Sequence, residues 1–129
     1  MPRALLTLTV LPERYAVCRL DPDLPPGTWM MHGPFWSIIR TTEECSIVCD
    51  EHLVPQGTLA ASGWRVLRCE GPLDFALVGI MASIADPLAE AGVSIFPLAT
   101  YDTDYVMVKD SQLDAARKAL RAYGHAVQD

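Results

Sequence analysis

The order of apolar segments predicts an α+β protein built from two similar small units, the first of them degenerate. Three observations support this. From residue 64 onward the chain reads strand (64–70), helix (76–91), strand (93–99), strand (104–109), helix (111–122) and a last short strand (125–128), which is the βαββαβ ferredoxin-like order. Pro97 has no N–H to give a ladder, so the 93–99 arm belongs on a sheet edge, where the second strand of that order lies. Finally, a hairpin pattern recurs 59 residues apart: Leu98 lies over Ile39, Thr100 over Thr41, Asp102 over Glu43, Val106 over Ile47, Met107 over Val48 and Asp110 over Glu51. A period of roughly sixty residues is too long for a solenoid repeat and suits a duplicated unit. The expected division is 1–62 for the degenerate unit and 63–129 for the complete one.

The stretch VSIFPLATYDTDYVMVK, residues 93–109, organises the second unit. Two apolar arms flank the polar tetrapeptide TYDT, the usual signature of a hairpin. Before it, Val78, Met81, Ala85 and Leu88 recur at helical spacing, and Pro87 is expected to kink that helix or divide it. Gly92 is placed as a helix-ending glycine. After the hairpin, Ser111 and Asp114 have capping-box spacing, with Asp in place of the usual Glu or Gln. The helix they open turns Leu113, Ala116 and Leu120 inward, and Gly124 ends it.

In the first half, residues 4–11 and 15–20 read as strands. The 59-residue offset lays 64–70 over 5–11, so a strand leads each copy. Residues 21–34 hold Pro22, Pro25, Pro26, Gly27, Gly33 and Pro34, which forbid a long helix where the second copy has one. Trp29, Met30 and Met31 are expected to cap the core from this loop. Residues 35–41 and 45–49 form the first hairpin, with the turn TTEE, and 51–62 is a connector broken by Pro55 and Gly57. The 64–70 strand closes the first sheet, opens the second, or joins both.

Half of the 129 residues are hydrophobic, enough for a core without staples. With 16 acidic against 10 basic side chains the formal charge is −6 and there is no basic run, which argues against nucleic acid and anionic membranes as partners. No apolar stretch reaches the length of a membrane span and no leader pattern opens the chain, so a cytoplasmic protein is expected. Cys18, Cys45, Cys49 and Cys69 contain no C-x-x-C and read as buried, reduced thiols. Cys45, Cys49 and His52 make no metal set, because strand positions four apart lie about 13 Å apart. No cofactor motif is present, so neither cofactor nor metal is expected.

The segment GIMASIADPLAEAGVSIFPLATYDTDYVMVK resembles the helix and hairpin of ACT-domain proteins, in particular the small tandem ACT proteins related to cytosolic arginine sensors. EECSIVCDE, followed by V-P and later G-W-R, is similar to the same group. The resemblance is sharpest over residues 71–110 and weaker from 35 onward. It implies regulation by a free amino acid held between two ACT units. One implied wall is Val78, Gly79 and Ile80 with the turn residues Thr100, Tyr101, Asp102 and Asp104; the other is the edge of a neighbouring unit, here Ser94 and Ile95. Free N–H groups at the helix start suit a carboxylate, Gly79 admits a ligand close to the backbone, Asp104 suits an ammonium or guanidinium, and Ser94 can donate and accept. Arg40 and Cys45 stand where the second copy has Ala99 and Asp104, so the first unit lacks an equivalent site. One wall set per chain implies a homodimer through the 93–99 edge, with any output passing through a separate effector protein or through ligand storage.

Structural roles compete at each position. Gly79 also suits close helix packing, Asp102 suits a turn, and Thr100 and Tyr101 suit turn packing. Ser94 is ordinary on an edge. Asp104 opens an apolar strand, which is unfavourable unless the carboxylate is solvated or paired. Asp102 and Asp104 form a D-x-D without a phosphate loop, and His32, His52 and His125 have no nucleophile pattern beside them, so no enzyme is expected. A ligand-free protein–protein interaction module is the alternative function.

Overall fold

The computed structural model describes residues 5–73 and 77–129. The expected positions Ala4, Asp74, Phe75 and Ala76 lie outside the described residues. Contacts divide the chain into two compact units. One holds the described residues up to Pro12 together with Arg65–Asp129, and the other is Glu13–Trp64.

The first of these, the helical unit, contains β1 (Thr7–Val10), the second half of β5 (Leu59–Cys69), α1 (Ile80–Glu90), β6 (Ile95–Ala99), β7 (Asp104–Lys109), α2 (Leu113–Tyr123) and β8 (Ala126–Gln128). Its strands are ordered β6-β7-β5-β1-β8. In a plain βαββαβ sheet the last strand lies beside the first. Here β1 occupies that place, antiparallel to β5 through Leu8↔Cys69 and Val10↔Leu67 and parallel to β8 through Leu8↔Val127. The expectation that residues 5–11 lead the first copy is therefore corrected. The reason is apolar: Leu8 and Val10 are buried in the same core as Leu67, Ile84, Leu88, Val106 and Leu120, each such side chain contributing about 1.5–3 kcal/mol on burial.

The second, the strand unit, contains β2 (Tyr15–Leu20), β3 (Ser37–Arg40), β4 (Cys45–Asp50) and the first half of β5, in the order β3-β4-β2-β5. With β2 as its lead strand, this is the same βxββxβ order, with 3-10 turns at Thr28–Met31 and Glu51–Leu53 in place of helices. Its core is small: Ala16, Cys18, Met30, Cys45, Ile47 and Cys49 are buried together, with Trp29 packed against them. Met31 is exposed, so only part of the expected cap is realised. All four cysteines are free and buried. β5 pairs with β2 between Leu59 and Trp64 and with β1 between Leu67 and Cys69, so this strand takes part in both ladders.

Pro87 does not divide α1. A proline there leaves the Ser83 carbonyl, four residues earlier, without its helical donor. His125 supplies one: its Nε2 lies 2.7 Å from that carbonyl, and its Nδ1 accepts the Leu6 N–H at 3.0 Å. A buried histidine thus bonds α1 and the residue before β1 at once, a role its sequence position near the terminus does not announce. The buried face of α1 is Ile80, Ser83, Ile84, Pro87 and Leu88; Leu88 faces inward as expected, whereas Ile80 and Ile84 stand one residue before the expected Met81 and Ala85. The capping box at Ser111 is corrected as well. Asp110–Gln112 is a 3-10 turn, α2 starts at Leu113 without a side-chain cap, and Asp114 pairs with Arg117 at 3.2 Å. Leu113, Ala116 and Leu120 face inward as expected.

Candidate functional site

β6 pairs with β7 alone among the described strands, so Pro97 lies on an edge. The β6–β7 turn is closed by Thr100. Its N–H and its Oγ1 both donate to the Thr103 carbonyl, at 2.9 and 3.0 Å, and its Oγ1 accepts the Thr103 N–H at 3.3 Å. Local hydroxyl-to-backbone bonding of this kind is what makes threonine a turn residue.

This turn forms one side of a pocket of about 130 Å³. Thr100, Tyr101, Asp102, Thr103 and Asp104 line that side, and Leu73, Leu77 and Ile80 line the other. Of the nine positions implied by resemblance, Ile80, Thr100, Tyr101, Asp102 and Asp104 are brought together here. Val78 is 79% exposed and lies off the lining, Ser94 is exposed just before β6, and Ile95 packs against the core. Leu73, Leu77 and Thr103 were not foreseen. The signal for Thr103 was a threonine paired with a buried partner, which no local pattern reveals.

Gly79 is the N-cap of α1 with φ +77°, a left-handed conformation that glycine adopts without strain. Among the described residues a Cβ there would meet nothing within 4 Å. Close packing against those residues is therefore not its reason, and toward them the space beside this helix start is open.

Among the described residues, the charged groups on the lining are the carboxylates of Asp102 and Asp104. Among the described residues the Asp104 side chain makes no hydrogen bond or ion pair, although it is half-buried. Its charge is felt behind the wall: burial pushes the Cys69 thiol up, the Asp104 and Glu70 carboxylates add to that, and a bond with Thr103 opposes it. The pocket can therefore take a cationic or ammonium-bearing group at the Asp104 end and apolar atoms against Leu73, Leu77 and Ile80. Leu77 is 52% and Tyr101 80% exposed at its mouth.

The strand unit has the same hairpin, but the cavity of about 250 Å³ beside it is lined chiefly by the sheet residues Val17, Cys18, Ser46, Leu59 and Ala60, with Glu44 the one residue from the turn. Arg40 Nη2 donates to the Leu24 carbonyl at 2.6 Å, which draws the proline-rich loop to β3. Cys45 and Cys49 face the core while His52 is exposed beside Asp50, so these three side chains do not converge.

A family model of the ACT domain matches residues 59–122, and a second model, of an N-terminal domain, matches residues 13–57. The cytosolic arginine sensor for mTORC1 subunit 1 of Bos taurus is 29% identical over 84% of this chain and 40% of its own length. Its Homo sapiens counterpart is 36% identical over 68% of this chain and 34% of its own length. The chain thus spans well under half of the curated relatives it matches. Among solved structures, protein Atu0741 from Agobacterium tumefaciens superposes with a TM-score of 0.93 at 31% identity, covering 98% of this chain and 95% of that one. The aspartokinase α and β subunits superpose with a TM-score of 0.67 at 16% identity, covering 93% and 98%, a likeness of fold.

Proposed function

The chain is an ACT-domain protein, and from that premise we propose that its β6–β7 pocket binds a free amino acid as a regulatory signal, without catalysis. The observation that carries this is the half-buried Asp104 carboxylate, which has no partner among the described residues and faces a pocket otherwise lined by leucines, isoleucine and the hairpin turn. A carboxylate without a protein cation is a receptor for a ligand cation. The curated relatives named as arginine sensors support a basic amino acid, and the acidic lining supports the same class. The α-carboxylate is assigned to the open α1 start at Gly79, beside Val78 and Ile80, where backbone N–H groups lack helical partners.

In this reading residues 13–62 form a degenerate ACT-like unit without a site, and residues 63–129 with β1 form the binding unit. The 93–99 edge pairs with its copy in a homodimer, so that Ser94 and Ile95 of one chain close the pocket of the other. An unpaired strand edge and the exposed Leu77, Val78 and Tyr101 support such a partner. The protein works in the cytoplasm and passes its signal to a separate effector protein.

A thermal-shift screen against the twenty free amino acids, repeated with Asp104→Asn, tests this. The wild type gains stability with a basic amino acid, and Asp104→Asn weakens its affinity by about one to two powers of ten, since a charge-assisted bond contributes roughly 1.5–3 kcal/mol. The unliganded variant melts with the wild type. A lowered melting point together with unchanged affinity assigns Asp104 to the fold and refutes the pocket. If the wild type responds to none of the twenty, the interaction-module reading replaces this one.

A further inference from the structure

Two adjacent residues of the hairpin turn are bonded to the end of β5 and to the segment that follows it. Thr103 is 7% exposed, and its Oγ1–H donates to the Cys69 carbonyl at 2.7 Å. The Leu73 N–H donates to the Asp102 carbonyl at 2.6 Å. Between these bonds sits Gly71, where a Cβ would come within 3.0 Å of the Thr103 Cβ and 3.1 Å of the Asp102 carbonyl oxygen. A Cβ there would crowd both groups, so that they would have to give by a few tenths of an ångström.

Comparison with the other hairpin isolates what Thr103 does. Thr41 closes the β3–β4 turn as Thr100 closes the β6–β7 turn: its N–H donates to the Glu44 carbonyl at 2.9 Å and its Oγ1 accepts the Glu44 N–H at 3.1 Å. The residue in the place of Thr103 is Glu44, so the turn closes without a threonine there. The carbonyl in the place of Asp102 is that of Glu43, and it is met by the exposed Arg19 guanidinium at 3.1 Å instead of by a backbone N–H. A buried hydroxyl bond and a backbone bond side by side are the additions of the unit that has the pocket.

We propose that Thr103 is a positioning residue for ligand binding: by bonding the end of β5 it sets the distance between the Leu73 side of the pocket and the Asp102–Asp104 side. This rests on the amino-acid reading above. Leu73 and Asp102 both line the pocket and are themselves joined by one hydrogen bond, so a change in that bond is a change in pocket width. Loss of the Thr103 hydroxyl leaves the Cys69 carbonyl buried without this donor and loosens the Leu73–Asp102 pair.

The test compares wild type, Thr103→Val, which keeps shape and removes the donor, and Thr103→Ser, which keeps the donor. Each is titrated calorimetrically with the amino acid that most stabilises the wild type in a screen of all twenty, and exchange of the Leu73 amide hydrogen is followed with and without it. Thr103→Val binds about tenfold more weakly, the size of one neutral hydrogen bond, and its Leu73 amide exchanges faster. Thr103→Ser restores both. A folded Thr103→Val that binds with wild-type affinity overturns the proposal and leaves the amino-acid reading intact, as does equal weakening by Val and Ser. No response of the wild type to any of the twenty overturns both. Should Thr103→Val fail to fold, the wild type decides: saturating ligand slows exchange of the Leu73 amide, and an unchanged rate refutes the clamp.

Discussion

The β3–β4 and β6–β7 hairpins are the same object placed in different surroundings. Arg40 pairs with Cys45 as Ala99 pairs with Asp104, and Ser37 with Val48 as Phe96 with Met107, so the register is preserved across the 59-residue offset. The turns share their threonine closure. What differs is what lies against them: in one unit α1, α2 and a clamped loop, in the other a proline-rich loop tied down by Arg40. The contrast separates closing a hairpin, which takes local chemistry, from building a pocket, which takes neighbours.

The largest expected effect that sharpens this contrast is at His125, which has no equivalent in the strand unit. His125→Ala removes a buried ring and leaves both the Leu6 N–H and the Ser83 carbonyl without the bonds it makes. Stability falls by about 3 kcal/mol, combining a cavity and two lost hydrogen bonds, as read from urea unfolding. A loss below about 1 kcal/mol shows that another group takes over the proline-orphaned carbonyl.

A smaller and more symmetric effect is expected at the two closing threonines. Thr41→Ala and Thr100→Ala each cost about 1 kcal/mol in chemical denaturation, and the Thr41 loss is no smaller, because its Oγ1 also accepts the Glu43 N–H at 3.1 Å. Only Thr100→Ala weakens amino-acid binding. If Thr41→Ala weakens it equally, the two turns are not functionally distinct.

The smallest effect separates the units by pH. In the helical unit, bonds from Thr9 at 2.5 Å and Arg68 at 3.1 Å hold the Glu70 carboxyl below the usual carboxylate range. A depressed folded pKa contributes stability that is present above the ordinary carboxylate value and lost as pH falls through the folded one. The difference in melting temperature between wild type and Glu70→Gln therefore closes as pH drops below about 4. In the strand unit Arg19 bonds a carbonyl, the Glu43 oxygen, so Arg19→Ala shifts the melting temperature by the same amount across that range. A gap for Glu70→Gln that stays constant into acid shows that its charge does not contribute.

The sequence by itself determined the elements whose causes are local. Alternating apolar residues and TYDT specify the second hairpin, Pro97 places its first arm on an edge, Gly124 stops α2, and the prolines of residues 21–34 rule out a helix. Thr100, Tyr101 and Asp102 of the pocket were legible for the same reason, since a turn is four consecutive residues and these three are exposed, whereas the buried Thr103 was not. Tertiary structure alone decided the rest. Which ladder β1 joins depends on Leu8 and Val10 finding the core of residues more than fifty positions away, and hydrophobic burial carries no address. The partner that the Ser83 carbonyl finds where α1 continues through Pro87 is His125, 42 residues beyond it. At the pocket, Thr103 reaches back to Cys69, and Gly71 lies close against Thr103 and the Asp102 carbonyl. All of these are contacts between residues distant in sequence, and such contacts leave no periodic trace in the chain that makes them.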